Sequence, residues 1–342
     1  MVINGEWSLR VLVVDDSAFM RKIVTKMIDS DPQLTVVGTA FDGLNALKKI
    51  PQLNPDVITM DVNMPRMDGL KTLKEIMKQN PIPVIMLSAT TQEGAEITFR
   101  ALKLGAVDYV QKPSGQISLD IETVRNELVD KIKTAAHANL VSHERAASYS
   151  PVTTKQAFTN KIITIGASTG GPPAVEEILR QLPKNTPPIL IVQHMPIGFT
   201  QLFAKRLNKL CSFEVKEAEN GDTIKQGLAL IAPGGYHMTV TGDGRVQLNE
   251  GPAEHGVRPA VDPMMRTTAE VYESETIGVV LTGMGRDGAS GMRRIKENGG
   301  KTIAQDKATS TVFGMPKIAI EEGNVDKILP LSKIPEQLMQ WC

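Results

Sequence analysis

The first 140 residues repeat one pattern five times: a short apolar, β-branched run, then a segment with apolar residues three and four apart. The runs lie at 11–14, 35–37, 57–60, 84–87 and 108–110, and 18–28 and 70–77 are two of the intervening segments. The short runs predict buried strands and the wider period predicts helices. Five such units predict a parallel sheet covered on both faces, closed by a helix over about 117–140. In sheets of this kind functional side chains gather at the carboxyl ends of the strands. Asp15, Asp16, Asp61, Ser88 and Lys112 all fall at such ends.

Residues 141–160 break the pattern. They are small and polar with no sustained period, and read as a linker. A second series then begins, with strands expected at 161–166, 189–193, 228–232, 277–282 and 301–304 and helices at 173–182, 199–209, 263–272, 289–298 and 314–322. Alternation at 238–241 and 245–248, joined by Gly242-Asp-Gly244, predicts an antiparallel hairpin. The expected fold is α/β throughout. It comprises two doubly wound parallel-sheet domains, 1–140 and 161–342, with the linker 141–160 between them and no internal repeat.

A length of 342 residues suits two domains. The 38 basic and 38 acidic residues cancel over the whole chain and to within one charge in each half, so a nucleic-acid-binding output domain has no marked basic excess to rest on. Cys211 and Cys342 form neither a disulfide framework nor a metal-ligand spacing, which suits a reducing compartment. The start, Met1-Val-Ile-Asn-Gly-Glu-Trp7, lacks the basic and apolar regions of a signal peptide, and no apolar stretch is long enough to span a bilayer. A cytoplasmic protein is expected, with no nucleic-acid partner and no membrane insertion.

In the first domain, two adjacent acids after one strand and a third after another bring carboxylates together, which is costly without a cation among them. Hard oxygen ligands suit Mg²⁺. Lys112 can pair with a phosphoryl oxygen, and the Ser88 hydroxyl can donate to one. One carboxylate would then be the nucleophile that becomes an aspartyl phosphate. Taken singly, each acid also reads as a solvated turn residue. The set Val13-Val-Asp-Asp-Ser17, Met60-Asp-Val-Asn-Met-Pro-Arg-Met-Asp-Gly69, Leu87-Ser-Ala89 and Val110-Gln-Lys-Pro113 resembles the response-regulator receiver domain, over about residues 8–135. That resemblance implies Asp61 as phosphoacceptor, with Asp15, Asp16, Asp61 and the Asn63 backbone carbonyl around Mg²⁺. It further implies Ser88 as the switch hydroxyl, Lys112 as the phosphate-sensing lysine, Tyr109 as the aromatic rotamer switch, and a cis Lys112–Pro113 bond.

In the second domain, Gly166-Ala-Ser168-Thr-Gly170 places a serine between an apolar strand and a helix opening on Pro172 and Pro173. The glycines permit a sharp turn that lifts the hydroxyl from the sheet edge, and the helix start offers free N–H groups to an oxyanion. His194 ends the next apolar strand, at the same edge, where a serine–histidine hydrogen bond would need it. A core histidine satisfied by backbone is the other reading. His137 and His143 lie near the linker, and His237 and His255 beside a hairpin and in a glycine-flanked loop; all four are weaker candidates for the base. Asp287, in Gly283-Met-Gly-Arg-Asp287-Gly after a third apolar strand, is the expected orienting acid, or else a helix cap. Asp262 is the rival acid, expected to cap a helix. The chain order serine, histidine, aspartate is not that of α/β-hydrolases, but a triad is defined by geometry and role.

Ile165-Gly-Ala-Ser-Thr-Gly-Gly-Pro172, Val192-Gln-His-Met195, Ala232-Pro-Gly-Gly-Tyr-His237 and Leu281-Thr-Gly-Met-Gly-Arg-Asp-Gly288 resemble the chemotaxis protein-glutamate methylesterase domain. Gln305-Asp-Lys-Ala308 and Phe313-Gly-Met-Pro316 fit it too, so the match covers about residues 160–340. With the receiver ahead of it, the chain is similar to the chemotaxis response-regulator methylesterases. The resemblance implies a serine hydrolase with Ser168, His194 and Asp287 as triad. Thr169 and the Met284 N–H would lie at the oxyanion, and the hydrolase needs no cofactor. It implies methyl-accepting chemotaxis receptors as substrates, a glutamine-deamidating side activity, and the chemotaxis histidine kinase as phosphodonor. The fusion implies control: an unphosphorylated receiver covering the Ser168 edge, released by phosphorylation of Asp61. Rival readings are a nucleotide-binding output domain, a non-catalytic partner-binding module and a transcription factor.

Overall fold

The computed structural model describes residues 2–3, 6–88, 92–112, 119–140 and 160–342. The chain divides into two compact units, Met1–Arg145 and Ala146–Cys342. Nearly all of the expected linker, and the Lys112–Pro113 bond, lie outside the described residues.

The first unit opens with a pair of two-residue strands, β1 (Val2–Ile3) and β2 (Glu6–Trp7). Then come β3 (Leu9–Val14), α1 (Ala18–Asp29), β4 (Leu34–Ala40), α2 (Gly43–Leu53) and β5 (Val57–Asp61). The unit ends with α3 (Gly69–Gln79), β6 (Val84–Ser88), α4 (Gln92–Lys103), β7 (Asp108–Gln111) and α5 (Leu119–Ala135). The sheet order is β4-β3-β5-β6-β7, parallel throughout. The strand order reverses between β3 and β5, the crevice where open α/β sheets place ligands. Helix starts are fixed by side-chain caps: Ser17, Asp42 and Asp68 accept the N–H of Met20, Asn45 and Lys71.

The second unit contains β8 (Ile162–Ala167), α6 (Gly171–Leu179), β9 (Ile189–Gln193), α7 (Phe199–Leu210), β10 (Glu214–Glu217) and β11 (Leu228–Ile231). The hairpin β12 (His237–Val240) and β13 (Val246–Asn249) follows. The remainder is α8 (Val261–Tyr272), β14 (Thr276–Val280), α9 (Ala289–Glu297), β15 (Lys301–Gln305), α10 (Met315–Glu321), β16 (Lys327–Leu329) and α11 (Ile334–Trp341). Seven strands form one parallel sheet, ordered β10-β11-β9-β8-β14-β15-β16. Its central strands β9, β8 and β14 are buried at every residue, as runs of Ile, Val and Leu covered on both faces must be.

Every expected strand and the hairpin are present. Among the described residues the sequence reading missed the β1–β2 pair, the edge strands β10 and β16, and α11. The two edge strands are short, charged and partly exposed, so they carry neither a buried run nor a clean alternation. The hairpin is a sheet of its own and pairs Val240 with Val246.

Candidate active site

In the first unit the ends of β3 and β5 bring Asp15, Asp16 and Asp61 together, with one carboxylate oxygen from each within 4.8 Å of the others. Lys112, just past β7, reaches over the edge. Its Nζ lies 2.7 Å from Asp15 Oδ2 and 2.8 Å from Asp61 Oδ2. Burial drives the Asp61 carboxyl above its ordinary value; Lys112 offsets part of that and the Asp15 charge adds to it. Burial alone would lower the Lys112 ammonium, but its bonds to Asp15 and Asp61 outweigh that and hold it above its ordinary value. Asp16 and Asn63 are exposed at the rim, and Asn63 N–H donates to Asp61 Oδ1 at 3.4 Å.

Ser88 and Tyr109 are both buried. Ser88 Oγ is 2.9 Å from Thr98 Oγ1, and both hydroxyls lie within hydrogen-bond distance of the Gly94 carbonyl (3.3 and 2.7 Å). Lys131 donates to the Tyr109 carbonyl at 2.6 Å and stands 5.1 Å from the centre of its ring.

In the second unit the Ser168 turn is sewn to the strand ends on either side. Ser168 N–H donates to Thr282 O (3.0 Å), and His194 N–H donates to Ala167 O (3.1 Å). The Gln193 amide donates to Ser168 O at 2.9 Å. Ser168, His194 and the loop carrying Asp287 thus leave three adjacent strands, β8, β9 and β14, at the point where strand order reverses. Gly170 holds φ at +74°, and a Cβ on Gly283 would stand 2.7 Å from Ser168 Cβ, so only glycine lets this loop approach the serine.

His194 Nε2 and Asp287 Oδ2 are 2.8 Å apart. Asp287 is 2% exposed and also accepts the N–H groups of Val261 (2.6 Å) and Asp262 (2.9 Å). Burial would raise its carboxyl, yet the hydrogen bond and charge of His194, then the two backbone donors, hold it below its ordinary value. Ser168 is half-buried, and among the described residues its hydroxyl makes no hydrogen bond, to His194 or otherwise. With Nε2 engaged by Asp287, Nδ1 is the ring nitrogen open to a serine proton. Hydrogen bonds of this kind commonly tighten only with substrate in place. Thr169 is buried, its carbonyl accepting from the Thr282 hydroxyl at 2.9 Å. Met284 follows Gly283 on the β14 loop and is 48% exposed.

The CheB methylesterase family profile matches residues 163–338, and the response regulator receiver domain profile matches residues 11–122. A protein-glutamate methylesterase/protein-glutamine glutaminase of Pyrococcus abyssi is 50% identical, over 97% of this chain and 93% of that one. One of the same name from Thermotoga maritima is 49% identical, over 97% and 98%. The chain belongs to the CheB methylesterase family. A crystal structure of the Thermotoga maritima CheB methylesterase catalytic domain covers 54% of this chain and all of that one, at 48% identity and a TM-score of 0.53. The two halves of the family architecture, receiver and methylesterase, correspond to the two compact units.

Sequence reasoning missed one part of this methylesterase-family site. Asp262, expected to cap a helix, does so, but not its own. Its Oδ1 accepts from Gly288 N–H (3.0 Å) and Gly291 N–H (2.7 Å) at the start of α9, while α8 begins after Ala260 with no side-chain cap. Its Oδ2 is 2.8 Å from His255 Nε2. The signal available was the Asp287-Gly288 helix entry, which implied an acceptor without saying which. His237 is structural: Nε2 lies 3.0 Å from Pro252 O, and Nδ1 accepts from Ala260 N–H at 3.2 Å. His137 is exposed, and His143 lies outside the described residues.

Proposed function

We propose that the chain is a phosphorylation-controlled serine esterase that hydrolyses glutamyl methyl esters on chemoreceptors and deamidates receptor glutamines. The observation that carries the reading is the buried Asp287–His194 pair at 2.8 Å, set beside the Ser168 turn on adjacent strands of a CheB methylesterase-family chain.

Ser168 Oγ attacks the ester carbonyl carbon as His194 Nδ1 takes the hydroxyl proton. Asp287 steadies the resulting imidazolium. The tetrahedral oxyanion is received by backbone donors at the Met284 loop and Thr169. Collapse expels methanol, which takes the proton from His194, and leaves a glutamyl-serine ester. Water, deprotonated by the same imidazole, hydrolyses that ester to glutamate and restores Ser168. A glutamine substrate follows the same path with ammonia as leaving group.

In the receiver, Asp61 is the phosphoacceptor. The cluster fits a divalent cation with hard oxygen ligands: Asp15, Asp16 and Asp61 offer convergent carboxylates, and by the receiver resemblance the Asn63 carbonyl would join them. Bound Mg²⁺ supplies charge neutralisation for phosphoryl oxygens. Lys112 pairs with those oxygens, while Ser88 and Tyr109 respond to them. The chemotaxis histidine kinase is the phosphodonor. Phosphorylation raises hydrolysis by favouring the active arrangement of the catalytic unit.

The test is methanol release from a methylated receptor cytoplasmic fragment, with and without acetyl phosphate. Release that rises with acetyl phosphate and disappears in Ser168→Ala is expected. Release indifferent to acetyl phosphate would retain the esterase and remove the switch. No release would turn the second unit into a partner-binding module.

A further inference from the structure

We propose that His255 is a positioning residue of the triad: its imidazole bridges the carboxylates of Asp262 and Asp287 and so fixes the acid that orients His194. The inference deepens the esterase reading and rests on it. His255 Nε2 lies 2.8 Å from Asp262 Oδ2 and 3.8 Å from Asp287 Oδ1. The two acids are 1% and 2% exposed, and such neighbours repel unless a donor stands between them. Asp262 in turn holds the N–H of Gly288, the residue after Asp287. Movement of His255 therefore reaches Asp287 by two routes, directly through the carboxylate pair and indirectly through the Gly288 backbone.

The backbone supports a role for this side chain. His255 sits at φ +54° with Gly256 at +77°, the left-handed region that residues other than glycine enter uncommonly. Glycine would hold such a turn without that cost. The loop is anchored, since Arg266 grips the adjacent Glu254 through bonds of 2.8 to 3.1 Å. His255 and Asp262 line a cavity of about 540 Å³, where Arg286 is paired with Glu322 at 2.9 Å and Arg293 lies 3.9 Å from Glu297. The Glu254 carboxylate, held by Arg266, also lies within 4.8 Å of the His255 ring nitrogen and of Asp262, so His255 faces the two buried acids with Glu254 beside them.

The side-chain geometry supplies the test. Glutamine places its amide nitrogen near the position of histidine Nε2, whereas asparagine reaches only as far as Nδ1. The left-handed backbone, however, favours asparagine. A turn-only role and a positioning role therefore rank these variants oppositely. We would measure the rate at which a serine-directed acylating probe labels Ser168 in the full chain, with the melting temperature of each variant. His255→Ala and His255→Asn are expected to label about tenfold more slowly, and His255→Gln within about twofold of the parent. Equal rates in all three, or His255→Asn faster than His255→Gln, would overturn the proposal. Should His255→Ala fail to fold, the comparison of Asn with Gln still decides. Methanol release from the receptor fragment is followed in parallel. A parent that labels without releasing methanol loses the esterase reading but keeps the His255 ranking, and one that does not label loses both.

Discussion

Asp287 holds the backbone of Asp262, and Asp262 holds the backbone just after Asp287. Asp287 accepts the N–H groups of Val261 and Asp262 (2.6 and 2.9 Å), and Asp262 accepts those of Gly288 and Gly291 (3.0 and 2.7 Å). The start of α8 and the start of α9 are thereby locked in one orientation. Asp287, the proposed triad acid, is a part of that lock. Removing the Asp262 side chain in Asp262→Ala leaves two buried donors without an acceptor and is expected to destabilise the unit by about 2–4 kcal/mol. Chemical denaturation would measure it, and a cost under about 1 kcal/mol would contradict the lock.

Asp262→Asn should behave differently, because an amide oxygen still accepts both N–H groups. Burial, then the charge of Asp287, pushes the Asp262 carboxyl above its ordinary value. A carboxyl raised on folding contributes stability that is fully present below its unfolded value and lost as pH rises through its folded value. At neutral pH the ionised group is thus a burden that asparagine removes. Asp262→Asn is expected to melt higher than the parent near neutrality, with the gap closing as pH falls through the carboxylate range. A melting difference independent of pH would count against this assignment.

Gly283→Ala tests the close approach at the serine. The added Cβ would stand 2.7 Å from Ser168 Cβ and 2.4 Å from Met315 Sδ. The loop must shift away from the nucleophile, carrying Met284 with it. Ser168 labelling is expected to fall about a hundredfold while the circular dichroism spectrum stays unchanged. Labelling at the parent rate would show that the loop has room to spare.

Lys112→Met leaves Asp15 and Asp61 facing each other without their shared cation. Losing one partner of a buried pair is expected to cost about 3 kcal/mol near neutral pH. Because Asp61 is already raised, the variant's deficit should shrink as pH falls and the acids take up protons. Thermal melts at about pH 7 and about pH 4 make the comparison, and an equal deficit at both would argue that packing, not charge, is lost. Stimulation by acetyl phosphate should disappear in the same variant.

Thr98→Val removes the hydroxyl that lies 2.9 Å from Ser88 Oγ. If Ser88 must turn toward a phosphoryl group on Asp61, loosening this contact by about 1 kcal/mol should lower the half-maximal acetyl phosphate concentration about fivefold. An unchanged midpoint would place Ser88 outside the switch.

The placing of Ser168, His194 and Asp287 near one sheet edge was legible because a parallel sheet enforces it. A buried run of β-branched residues has a definite carboxyl end, and Ser168, His194 and Asp287 each follow such a run. The acids of the receiver were legible for the same reason. Edge strands β10 and β16 were not, since Glu214-Val-Lys-Glu217 and Lys327-Ile-Leu329 carry no such run. The Asp262–His255 pair was hidden differently: it joins two loops through side-chain and backbone bonds, and no periodicity records which donor an acid will find. The hydrogen bond expected between Ser168 and His194 is not formed here, because strand register places residues on an edge without fixing their rotamers.

Ser168 and His194 directly follow β8 and β9, and Asp287 lies on the loop after β14; these are the three innermost strands of a seven-stranded sheet. Amide exchange in such a sheet starts at its margins, so β10 and β16 should exchange early while the central ladder stays closed. The proposed site is then framed by the strands that open last. Heat inactivation should follow whole-unit opening rather than a local melting step, and partly frayed molecules should remain fully competent.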